Sequence, residues 1–111
     1  MADKDYDGLV VSLLRNIDKA IIGLKGSVPK NLGFEYKIEK KNLDIEIVFH
    51  SNFSGSKTIY IEFIESEALF NVISDDGEFH FNNTEKLVMY VEKQIDEYIE
   101  ISFKELEKKR A

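Results

Sequence analysis

The spacing of apolar residues changes twice along this chain, and that change constrains the fold more than any other feature. From Asp7 to Lys25, Val10, Leu13, Leu14, Ile17, Ile21 and Leu24 recur at three- and four-residue steps. This is the stripe of an amphipathic helix. Asp5 or Asp7 can cap its start, and Gly26 stands where a left-handed C-terminal residue belongs. Gly26-Ser27-Val28-Pro29 then forbids continuation.

From Phe34 the step becomes two. Phe34, Tyr36 and Ile38 alternate with Glu35, Lys37 and Glu39; after a Lys40-Lys41-Asn42 turn, Leu43, Ile45, Ile47 and Phe49 alternate with Asp44, Glu46, Val48 and His50. A residue pattern of period two puts one set on each face of a strand. Ser51 to Lys57 reads as a polar loop, Thr58 to Glu65 as a third strand and Ala68 to Ser74 as a fourth. Asp75-Asp76-Gly77 is a hairpin signal, and Glu78 to Phe81 returns. The helical period resumes from Thr84 to about Lys108, with Leu87, Val91, Ile95, Tyr98, Ile99, Ser102 and Leu106 on one stripe. Asn82 or Thr84 can cap this helix, and Asn82 with Glu85 has the spacing of a capping box.

The order is therefore α-β-β-β-β-β-α. Short connections allow no crossovers, so the strands must form an antiparallel meander of four to five strands. Each helix has one apolar stripe and the sheet one apolar face. The economical α+β arrangement packs both helices on that face and leaves the other open. The 111 residues suit a single domain, 1–111.

Composition excludes several functions. The chain has 21 acidic against 15 basic residues, a net charge of −6, and no cysteine. Disulfides and thiolate metal sites are ruled out, and a nucleic-acid binder would need a basic track. The N-terminus Met1-Ala2-Asp3-Lys4-Asp5 is acidic where a signal peptide is basic, and no apolar run approaches the ~20 residues of a membrane span. A cytoplasmic location is expected, with neither nucleic acid nor membrane as partner. No phosphate-binding glycine motif or nucleophile elbow is present. Glu35-Tyr36-Lys37 has the E-x-K form of some metal-dependent nucleases, but no strand precedes it to supply the other acid. His50 and His80 lie on the charged sides of two strands; were those strands neighbours, the pair could join Glu62 or Asp44 in a metal site. Otherwise they are exposed strand histidines, and no cofactor or metal is expected.

The charge is uneven. Residues 1–55 hold eight basic and eight acidic residues, whereas 56–111 hold seven and thirteen. Four-residue spacing of Glu92, Asp96 and Glu100 suits a solvated helix face. The outward strand positions gather differently. Glu35, Glu39, Asp44, Glu46 and Glu62 make an acidic sheet face, interrupted by Val48, Tyr60 and Ile64. Acids around an apolar centre suit a protein partner with a basic surface, charge setting the encounter and the centre supplying anchorage. The expected partner-binding set is Glu35, Asp44, Glu46, Val48, Tyr60, Glu62 and Ile64.

In size, acidity and lack of cysteine the chain resembles immunity-type inhibitors, small bacterial domains that neutralise toxins, often basic nucleases. The likeness is carried by size and charge, without a family motif. It implies a non-enzymatic binder of a toxin domain, and the Lys-, Ile-, Asn- and Glu-rich wording suits an AT-rich bacterial genome. The competing expectation is a small acidic secretion chaperone or adaptor, forming a homodimer through the C-terminal helix with Tyr98 and Phe103 at the seam.

Overall fold

The computed structural model describes residues 6–110. Helix α1 spans Tyr6–Lys25, followed by strands β1 (Glu35–Lys41), β2 (Asp44–His50), β3 (Lys57–Ile64), β4 (Leu69–Ser74) and β5 (Gly77–Phe81), and helix α2 (Thr84–Arg110). The five strands form one antiparallel sheet in the order β1-β2-β3-β4-β5. This is the expected α+β meander.

The helix ends depart from expectation in detail. Asp7 lies inside the first turn of α1 rather than at its cap, and pairs with Lys40 at 2.5 Å. Asp5 lies outside the described residues. Gly26 is not left-handed. Its N–H donates to the Ile22 carbonyl at 3.1 Å, and the Ser27 and Val28 N–H groups close tighter bonds onto Leu24 and Lys25. Those bonds satisfy the last carbonyls without a chain reversal. The left-handed residue is Gly33 (φ 67°), which ends a 3-10 turn at Lys30–Leu32, and a Cβ there would run into the side chain of Asn52. At α2 the cap is Asn83, not Asn82 or Thr84. Its Oδ1 accepts the Lys86 N–H at 3.0 Å, so the Asn82–Glu85 box gives way to a cap one residue later.

Three short loops close the meander. Asn42 and Leu43 join β1 to β2, with Asn42 at φ 56°; residues 65–68 join β3 to β4, with Ala68 at φ 51°. Asp75 and Asp76 join β4 to β5, and Gly77 takes φ 121°, a region that favours glycine.

Period two decides what is covered. Ile45, Ile47, Phe49, Ile59, Ile61, Phe63, Phe70 and Val72 lie on one face and are buried beneath both helices. Helix α1 rests on β1 and β2, α2 on β5, and the helices on each other. Val10, Leu13, Ile17 and Ile21 of α1 and Leu87, Val91, Ile95 and Tyr98 of α2 complete the core. Each such side chain contributes about 1.5–3 kcal/mol on leaving water. The apolar stripe of α2, offered above as a dimer seam, is thus turned into the chain's own core. Only Phe103 at its margin stays exposed, at 38%.

Polar bonds fasten the 51–56 loop under α2. Tyr98 donates its hydroxyl to the Gly55 carbonyl at 2.8 Å, and Ser102 bonds Ser51 and Ser54, both at 2.9 Å. Among the described residues, no helix is long and apolar enough to cross a membrane.

Candidate binding face

The helices cover one side of the sheet only. On the other, cross-strand register sets the outward residues in rows. One row runs Glu39, Glu46, Tyr60, Ile73 and Glu78 across β1 to β5. Beside it stand Lys41 and Asp44, then Glu62, Asn71 and His80; on its other flank stand Lys37, Val48 and Thr58. Beyond Glu62 and Asn71, Ile64 faces Leu69.

All seven expected residues lie on this face, but they are not equivalent. Glu35 sits at the β1 edge, where Lys25 of α1 reaches it at 3.2 Å. Glu46 pairs with Lys41 at 3.3 Å. Asp44 accepts the Tyr60 hydroxyl at 2.8 Å and the Phe63 N–H at 3.2 Å, so it holds β2 to β3 as much as it offers charge. Its bond to the hydroxyl is the main reason that the Tyr60 pKa is raised, with burial and nearby carboxylates adding to it. Glu62 is exposed and makes no ion pair with a described residue. Val48, Tyr60 and Ile64 are half-buried and form the apolar middle.

Other members of the face were outside the expected set. Lys37 and Lys41 share the outward parity of Glu35 and Glu39, and they dilute the acid. Lys37 pairs with Glu39 at 3.0 Å and draws that carboxyl below its usual range. Six carboxylates (Glu35, Glu39, Asp44, Glu46, Glu62, Glu78) against two lysines still leave the face four charges negative. Ile73, 36% exposed, extends the apolar middle next to Tyr60. Alternation within β4 places Ile73 and Asn71 outward, so the signal was present in the sequence. What it lacked was the register of β4 against β3, which sets Ile73 opposite Tyr60.

Asn71 is the one outward residue that is buried, at 6% exposure. Its Nδ2 donates to Glu78 at 2.9 Å, while its Oδ1 has no partner among the described residues. A buried acceptor left unpaired costs about 1–3 kcal/mol.

The histidine pair does not assemble. His50 is on β2 and His80 on β5, with β3 and β4 between them. Three strand spacings of ~4.8 Å put them some ~14 Å apart before any offset along the strands. The condition for a shared metal, neighbouring strands, is not met, and among the described residues no three His, Asp or Glu side chains gather to hold an ion. A recess of about 110 Å³, lined by Phe49, Ile59, Tyr98 and Ile101 among others, lies between the sheet and α2. It is smaller than the ~300–1,000 Å³ of ordinary small-molecule sites, whereas hollows of about 530 and 460 Å³ beside Leu24 and Asp96, between α1 and α2, reach that size.

Comparison with protein-family models, curated proteins and solved structures found no match to this chain.

Proposed function

We propose that this chain is a non-enzymatic protein-binding domain that receives a basic partner surface on the open face of its sheet. The observation that carries the reading is a sheet face that no helix of the described residues covers, on which half-buried Tyr60 and exposed Ile73 stand between Glu46 and Glu78, with half-buried Val48 and Ile64 to either side. Aromatic and aliphatic groups desolvated at the centre of a contact supply most of its affinity, and surrounding charge sets partner choice and encounter rate. The finer reading is an immunity-type inhibitor acting in a bacterial cytoplasm. Its partner is a toxin domain with a basic active-site cleft, covered rather than chemically altered.

The direct test is co-purification with the product of the neighbouring gene, followed by surface variants. Glu46→Lys with Glu62→Lys, and separately Ile73→Ala at an exposed position of the same face, should each weaken the complex by at least about tenfold while leaving the fold intact. Asp44 is unsuitable for this purpose, because its bonds to Tyr60 and Phe63 are part of the sheet. Full affinity in both variants places the interface elsewhere.

A further inference from the structure

The sheet has two edges, and they are finished differently. β1 carries Lys37, Lys40 and Lys41, each in an ion pair. Lys40 points to the helix-covered side and meets Asp7, so a strand added alongside would have to cover that pair. Charges of this kind, above all inward-pointing ones, are how edge strands resist pairing with another chain. β5 has none of these devices. Gly77-Glu78-Phe79-His80-Phe81 contains no lysine, arginine or proline, and Gly77 to His80 are all exposed. β4 is its strand neighbour, and no hydrogen bond from another described residue reaches its backbone. Phe79 is 42% exposed, with the Tyr90 ring 5.4 Å from its own.

The sequence of β5 is also complementary to itself. Glu78 and His80 flank Phe79 and share the open face, while Phe79 takes the helix side. Laid antiparallel on its own copy about Phe79, β5 sets Glu78 of each chain opposite His80 of the other. An imidazole N–H donates to a carboxylate whether or not the ring is protonated. Phe79 then faces Phe79 beneath the sheet, beside Tyr90.

We propose that β5 is a self-pairing edge, through which two copies of this chain join about a two-fold axis at Phe79. The product is one continuous sheet with twice the five strands of a single chain. A two-fold contact of this kind is closed, so it stops at the dimer. The β1 edges remain at the two ends with their lysines outward. The open faces stay uncovered and lie side by side; of their carboxylates the pairing engages Glu78 alone, and it does not rest on the partner-binding role proposed above.

A five-residue strand buries less than the ~1,200–2,000 Å² of a tight interface, so association is expected to be weak, with a dissociation constant between roughly 1 μM and 1 mM. Sedimentation of the wild-type chain should show its mass rising toward twice the monomer over that range. A chain that stays monomeric to about 1 mM overturns the proposal. Because the protein has no cysteine, single thiols report contacts cleanly. Residues facing each other across antiparallel strands have Cα atoms about 4.5–5.5 Å apart, within disulfide reach. Phe79→Cys should therefore form a disulfide-linked dimer under mild oxidation, whereas Lys37→Cys on β1 should not. Equal cross-linking at both positions rejects the β5 contact. Glu78→Lys should weaken the dimer by about tenfold, and adding His80→Glu should restore it by swapping both pairs. If the double variant dissociates as readily as the single one, with circular dichroism reporting both as folded, the register is wrong.

Discussion

Tyr36 shows how one side chain can carry a measurable trace of the fold. It stands half-buried on β1, and its hydroxyl donates to Asp18 of α1 at 2.6 Å. Burial first, then that hydrogen bond, then the carboxylate's charge push its pKa up to about 12 from the ordinary 10. A phenol whose folded pKa is raised binds its proton more tightly in the native state. Its contribution to stability is complete below the unfolded value near pH 10 and is lost as pH rises through about 12. Near-ultraviolet titration should show a tyrosine step near pH 12, and Tyr36→Phe should remove it. A wild-type curve with a single transition near pH 10 would contradict the contact. The sequence showed Tyr36 on the apolar side of a strand, but not the Asp18 opposite, because a helix and a strand far apart in sequence meet only through packing. Asp44 carries the same lesson for the binding face. As a sequence position it is another outward acid; in the sheet it is a bond to Tyr60 and to the Phe63 backbone.

Among the elements, type and order were legible and ends were less so. The strand limits fall within one or two residues of the alternation, because side-chain period is a property of the strand itself. Caps differ. Asn82, Asn83 and Thr84 are all chemically able to cap α2, and in the fold it is the Asn83 Oδ1 that accepts an N–H of the first turn. Asn83→Ala should accordingly cost about 1 kcal/mol in denaturant unfolding, and Asn82→Ala only a few tenths. An equal loss in both would mean that the cap bond contributes nothing. The 51–56 loop was read as merely polar, yet Ser51, Ser54, Tyr98 and Ser102 form a bonded group beneath α2. A helix stripe read as apolar from period alone can thus contain a buried serine, since its partner arrives from a loop.

For the molecule as a whole, the consequential fact is that both helices occupy the same side. The net charge of −6 becomes directional, because the uncovered face holds six carboxylates against two lysines. If a basic partner meets that face, its association rate should fall by roughly tenfold between low and high salt, since screening shortens to about 3 Å at 1 M. Stopped-flow measurement across that range decides it, and a rate indifferent to salt removes the steering role of the face.

By itself the sequence determined the helix–strand order, the antiparallel meander and which residues of each strand turn outward, because these follow from local period and from connections too short to cross over. Tertiary structure alone decided which outward residues became neighbours. It set Tyr60 between Glu46 and Ile73, buried Asn71 on the outward face and turned the stripe of α2 into the core. The reason is physical: period assigns a side chain to a face, whereas contact across strands depends on register and packing between segments that the chain brings together only when it folds.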